Sequence, residues 1–209
     1  MKKILMTIVA AFAAVSMNAQ DFYVGGQLGF TSTTNTSEVS TGGSTVSNDL
    51  KNSQFIIGPE FGIKLGDNMA VGVALSYGHG SKEANINTEY KTNNFEIKPY
   101  FRYSFLQWDK LSLFADAQVG VSSGKITTEV STGGTTTSTD EKTSGFSFAI
   151  VPGISYQVSD EINFVAKLGN GVGYWQEKYE PNSSTTYTDK TFGLNLNSLE
   201  LMFGLYFNF

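Results

Sequence analysis

The residues with the most chemistry in them are one histidine and a set of alternating charges. His79 is the only histidine in the 209 residues, with Ser76, Ser81 and Glu83 no more than four positions away. A hydroxyl nucleophile needs a base within about 3 Å that a third group holds in place. Nearness in sequence does not supply that geometry, so the imidazole is expected to cap an aromatic girdle as an amphipathic group, and no catalytic residue is assigned. The charges say more. Glu60, Lys64, Glu96, Lys98, Arg102, Asp116, Lys167 and Glu200 share the face of their strands that carries Gly58, Gly62, Ala70, Gly72, Ala74, Gly120 and Gly204. Charges of both signs facing one low-dielectric space must pair. Arg102 and Lys98 are therefore expected to meet Asp116, and Lys167 to meet Glu200, as a structural ion network in preference to a conduction path or solute site. No spacing of ligands suits a metal, and Gly169-Asn170-Gly171-Val172-Gly173 lacks the lysine and the strand-to-helix context of a phosphate loop. Neither a cofactor nor a metal is expected.

The elements that position these residues follow from period 2. Eight runs alternate apolar with small or polar residues: 22–31, 54–65, 69–80, 94–106, 111–123, 146–158, 162–175 and 197–209. In the last, Leu199, Leu201, Phe203, Leu205, Phe207 and Phe209 take one face, with Gly204, Tyr206 and Asn208 on the other. Connections alternate in length. Segments 66–68, 107–110 and 159–161 are tight turns, whereas 32–53, 81–93, 124–145 and 176–191 are long and polar. Within them, Thr31 to Ser47 and Thr127 to Thr143 read as flexible Ser/Thr/Gly loops with or without a fixed partner; hairpins extended by Thr and Val strand propensity are the other reading.

Alternation is common to a lipid-embedded barrel and a soluble ligand-binding barrel, which bury opposite faces. Side-chain size separates them, because a solvent-facing exterior has no need of small residues, whereas the narrow lumen of an eight-stranded barrel does. The apolar face is therefore the exterior. Tyr103, Phe105, Trp108, Phe207, Phe209 and Phe22 fall at the short-turn ends, and Tyr77, Tyr174 and Trp175 at the other, as two aromatic girdles. The chain also repeats itself. Glu38-Val39-Ser40-Thr41-Gly42-Gly43 recurs as Glu129-Val130-Ser131-Thr132-Gly133-Gly134, 91 positions later, so four strands plus four is the expected construction.

The start of the chain, Lys2-Lys3 followed by an apolar run over 4–15 and a small polar stretch over 16–20, reads as a secretory signal peptide cleaved after Ala19 or, second choice, Gln20. Residues 1–20 are thus the expected signal peptide and 21–209 the β-barrel domain. Removing Lys2 and Lys3 takes the formal charge from −5 to −7, which disfavours a nucleic-acid partner. With no cysteine there is no disulfide or thiolate site.

The ending Gly204-Leu205-Tyr206-Phe207-Asn208-Phe209 resembles the C-terminal targeting signal of bacterial outer-membrane β-barrels. Gly204, Phe207 and Phe209 match; Met202 stands where that family usually has a polar residue. Across the mature sequence the chain resembles the OmpA-like and OmpX-like single-domain barrels of Gram-negative outer membranes. The resemblance implies an all-β fold, an eight-stranded antiparallel transmembrane barrel with up-and-down order, short periplasmic turns and long extracellular segments. It implies contact with outer-membrane lipid and lipopolysaccharide, and with the barrel assembly machinery through Gly204, Phe207 and Phe209; any surface ligand is unspecified. The expected function is a non-enzymatic barrel with a side-chain-filled lumen and a structural or surface-interaction role. A narrow porin-like channel for small solutes is the alternative, and a lipid-modifying enzyme a more distant one.

Overall fold

Over the described residues every predicted run is strand, the 162–175 run as two strands, and the polar segments at one end continue as strand too. The computed structural model describes residues 22–41, 44–85, 87–168, 171–182, 185–195 and 201–209; the expected signal peptide and Glu200 lie outside these. In chain order the strands are β1 (Phe22–Thr41), β2 (Ser44–Lys64), β3 (Met69–Asn85), β4 (Thr88–Trp108), β5 (Leu111–Thr132), β6 (Thr135–Gln157), β7 (Ile162–Leu168), β8 (Gly171–Asn182), β9 (Thr185–Asn195) and β10 (Leu201–Asn208). Each neighbour pair is antiparallel. The ring β1-β2-β3-β4-β5-β6-β7-β10 closes on itself through the β10–β1 ladder, giving eight staves. β8 carries the β7 stave outward along β6, and β9 runs beside β8.

The long connections are hairpin arms, a correction to their reading as flexible loops. In the arm of β5 and β6, pairing runs without a break from Leu111↔Tyr156 to Thr132↔Thr135. Alternating Thr, Ser and Val suit a strand pair, and Gly133 and Gly134, at φ 59° and 83°, make the two-residue turn whose left-handed backbone matches strand twist. At the opposite end the turns are short as expected. Asp109 takes φ 51° between the paired residues Trp108 and Leu111.

Packing is inverted relative to a water-soluble protein. Phe30, Leu205, Phe148 and Ile150 lie exposed on the exterior, while the most buried residues include Glu60, Asp116 and Lys167 together with Phe114 and Val165. Such a wide apolar exterior is stable where hydrocarbon covers it. Among the described residues no helix is long and apolar enough to cross a membrane. Tyr174 faces outward, but Trp175 faces the lumen opposite Ser147. Trp175 therefore does not join the girdle, since adjacent strand residues point to opposite faces.

Candidate functional site

The site is the waist of the lumen, where side chains from six strands converge. Small residues make this possible. Tyr23, Tyr100, Phe114 and Tyr206 each lie directly opposite a glycine on the next strand, Gly62, Gly72, Gly153 and Gly25 respectively. A β-carbon on any of these four glycines would collide with the ring across from it. Each ring can thus lie flat against neighbouring backbone within a narrow barrel. The Tyr23–Gly62 and Phe114–Gly153 pairs are themselves related by a displacement of 91, the same as the repeated hexapeptide.

Four charges sit among these rings. Asp116 on β5 accepts from Arg102 Nε at 2.7 Å, from Arg102 Nη2 at 2.9 Å and from Lys167 Nζ at 2.9 Å. Glu60 on β2 takes Lys167 Nζ at 2.8 Å and Arg102 Nη2 at 3.5 Å on one oxygen. Its other oxygen accepts Gln27 Nε2 at 2.5 Å and the Tyr206 hydroxyl. Tyr23 and Tyr100 share a hydroxyl–hydroxyl bond of 2.5 Å. The Arg102 guanidinium lies 4.0 Å from the Phe114 ring centroid, and Lys167 Nζ lies 5.0 Å from that of Tyr100. Asp116 is 0% exposed, Glu60 1% and Lys167 2%, so bulk water solvates none of these charges and their partners must. Two cations face two carboxylates. Among the described residues no buried side-chain polar atom lacks a hydrogen-bond partner, which is the condition under which buried charge is tolerated.

Arg102 thus meets Asp116 as expected, but Lys98 does not. Lys98 pairs with Glu96 at 2.9 Å, one step outward of the waist, because these two same-face neighbours on β4 reach each other before Asp116. Lys167 meets Glu60 and Asp116; its expected partner Glu200 lies outside the described residues. Lys64 is exposed and lines a cavity of about 280 Å³ at the short-turn end. Gln27, Tyr23, Tyr100 and Tyr206 belong to the cluster and escaped the sequence-based assignment, which followed formal charge. Their signal was a large polar residue on the glycine-rich face. Beyond the waist, toward the hairpin arms, a second cavity of about 420 Å³ is lined by Gln54, Asn94, Glu96, Ser122 and Trp175.

His79 faces outward. Its Nδ1 lies 2.8 Å from Asn93 Oδ1, which also accepts from the Tyr77 hydroxyl at 2.8 Å. Ser81 donates to Glu89 at 2.5 Å, and Ser76 turns into the lumen, so the sequence-local cluster is not brought together. On the arms, Lys91 bonds Glu129 at 2.7 Å, and that hydrogen bond raises its pKa above the ordinary lysine value. The Thr127 hydroxyl, and then Lys125, hold the Asp140 carboxyl below the usual aspartate range. Among the described residues no cluster of three or more His, Cys, Asp or Glu could hold a metal ion. Gly204, Phe207 and Phe209 lie on and beyond β10: Gly204 opposes Gln27, Phe207 opposes Val24, and the Phe209 amide bonds the Phe22 carbonyl at 2.9 Å. The Phe209 ring stacks on Phe22 with centroids 4.9 Å apart.

Among curated proteins none matches the chain. Solved structures similar to it include Neisserial surface protein A, at 13% identity and a TM-score of 0.43 over 91% of this chain and 98% of that one. Ail, the attachment invasion locus protein of Yersinia pestis, is 10% identical, with a TM-score of 0.43 over 90% and 97%. The translocator domain of the autotransporter NalP from Neisseria meningitidis is 15% identical, with a TM-score of 0.50 over 91% of this chain and 65% of that domain; at this identity the likeness is one of fold alone. The model of the outer membrane protein beta-barrel domain matches residues 4–207, and with its closed antiparallel ring and apolar exterior the chain belongs to that family.

Proposed function

We propose that this outer-membrane protein is a non-enzymatic barrel with its lumen stopped at the waist, acting as a structural element that presents polar hairpin arms at the cell surface. The observation that carries this reading is the neutral cluster of Glu60, Arg102, Asp116 and Lys167, buried between cavities at the two ends. An ion crossing from one cavity to the other has to break charge-assisted hydrogen bonds in a site that bulk water does not reach. His79, the residue best suited to acid–base work, is engaged by an amide and faces the exterior, which favours a role without catalysis. In this reading the short turns face the periplasm, the arms contact lipopolysaccharide and the cell surroundings, and β10 with Phe209 is the segment read by the barrel assembly machinery.

Planar-bilayer recording on the purified full chain tests the stopped lumen. The expected result is an unchanged baseline. Steady single-channel steps from wild-type protein would replace the stopped barrel with a narrow channel for small solutes.

A further inference from the structure

On the exterior of the barrel, where the apolar band gives way to the hairpin arms, the order of the charges is not random. Moving outward along each strand from its last exposed apolar side chain, the first ionisable residue on that same face is Lys51 on β2, His79 on β3, Lys91 on β4, Lys125 on β5, Lys142 on β6, Lys178 on β8 and Lys190 on β9. On β1 that face carries Ser32, Thr34 and Thr36 beyond Phe30 and no cation; by alternation the first ionisable residue along it is the acid Glu38, eight positions past Phe30. On the strands that carry these cations the acids of this face, Asp49, Glu83, Glu89, Glu129, Asp140 and Glu180, come two to four residues farther out, roughly 7–13 Å at the usual rise. The short-turn end has no such collar; Asp67, Asp109, Asp160 and Glu161 stand there against Lys64 and Lys110.

The collar is densest on three adjacent strands. Lys125 and Lys142 are direct register partners, an arrangement that is unfavourable for two like charges unless an anion joins them. Lys178 opposes Ser144, one step diagonally from Lys142. The carboxylates nearest these lysines are Asp140, 3.0 Å from Lys125, and Glu180, the register partner of Lys142. Both are set to the outward side, which leaves the side toward the apolar band cationic. Lys142 and Lys178 are exposed, and neither makes an ion pair among the described residues. A lysine at the edge of an apolar band lays its methylenes along hydrocarbon and lifts its ammonium to headgroup level. The anions present at that level in a bilayer leaflet are lipid phosphates, and a phosphate monoester carries a charge of about −1.5 to −2 near neutrality.

We propose that Lys125, Lys142 and Lys178 form a binding site on the barrel exterior for the phosphate groups of outer-leaflet lipid A, with the rest of the cationic collar assisting. This rests on the orientation given above, with the arms toward the cell exterior, but not on the stopped lumen. Lipid binding and conductance are read separately, so either can fail without the other.

Native mass spectrometry of the purified full chain tests it, with detergent-released protein titrated against diphosphorylated lipid A and against the same lipid with its phosphates removed. The wild-type protein is expected to retain the phosphorylated form about tenfold better at low salt. In the variant carrying Lys125→Gln, Lys142→Gln and Lys178→Gln the two forms should be retained within about twofold of one another, while Lys110→Gln, at the other end, leaves the preference unchanged. Heat-shifted gel migration reports whether each variant is folded, and Lys142→Gln alone, expected to weaken the preference, serves if the triple variant is not. Equal retention of the two lipids by wild type, or an undiminished preference in a folded triple variant, overturns the site and reduces the collar to lysines placed only for the tolerance of their stems beside hydrocarbon.

Discussion

Replacing Asp116 with Asn is the sharpest probe of the waist. The change is nearly isosteric, so packing around Phe114 and Arg102 is preserved while one negative charge leaves a site that is 0% exposed. Arg102 and Lys167 then share Glu60 alone. Asp116 accepts three charge-assisted hydrogen bonds, at 2.7, 2.9 and 2.9 Å; at roughly 1.5–3 kcal/mol each they set a ceiling of about 5–9 kcal/mol. An asparagine oxygen keeps part of that, and the carboxylate no longer bears its own desolvation, which brings the expected loss to about 3–5 kcal/mol. The measurement is urea unfolding in detergent micelles near pH 7, followed by tryptophan fluorescence and by heat-shifted gel migration. Because the charges are enclosed, raising the salt concentration should change the loss little. Adding Lys167→Met to Asp116→Asn restores neutrality, with Arg102 facing Glu60, and is expected to recover about 1–3 kcal/mol. A loss below about 1 kcal/mol for Asp116→Asn, or a double variant less stable than the single one, would refute the argument that charge balance governs the waist.

Three further outcomes are expected. Gly72→Ala should cost about 1–3 kcal/mol in the same unfolding assay, because its methyl group meets the Tyr100 ring; the same substitution at Gly193, where nothing lies within 4 Å of the new carbon, should cost less. Deleting Phe209 removes the amide bond to Phe22 and the ring stack, and outer-membrane levels of the shortened chain, measured by immunoblot of membrane fractions, should fall well below wild type. In a carbon-detected NMR titration Asp140 should ionise below the ordinary aspartate range, and Thr127→Val should move the midpoint up. Its folded-state pKa is depressed, so its contribution to the β5–β6 arm is present above the unfolded value near 3.9 and is lost as pH falls through the folded value.

Much of the fold was legible because a barrel wall repeats one rule along every strand. Alternation located all eight staves, and the excess of Gly and Ala on one face told the lumen from the exterior before any contact was known. The length of the arms was harder to read. A Ser/Thr/Gly segment such as 124–145 satisfies the rules for a loop and for a hairpin alike, and only its partner strand decides. At the waist, parity placed Glu60, Arg102, Asp116 and Lys167 on the inner face but could not say who meets whom. Lys98 and Arg102 lie four residues apart on the same face of β4, and which of them reaches Asp116 depends on register across β4 and β5, where Arg102 is the direct partner. Trp175 was misplaced by treating it as a unit with Tyr174, although neighbouring strand residues cannot share a face.

The glycine–aromatic pairs of the waist bear on more than packing. A strand that slips by two residues keeps every apolar side chain outward and every small or polar one inward, so hydrophobic patterning is blind to that error. The rings are not blind to it. Shifted by two, Tyr23 would face Glu60 or Lys64 in place of Gly62, Tyr100 would face Ala70 or Ala74, Phe114 would face Val151 or Ser155, and Tyr206 would face Tyr23 or Gln27. Four seams of the wall therefore carry a key that fits one notch. A barrel that closes with all four seated has β10, β1 and β2, β3 with β4, and β5 with β6 each held in one register, and the buried pair of Arg102 and Asp116, direct partners across β4 and β5, keys a fifth seam by charge.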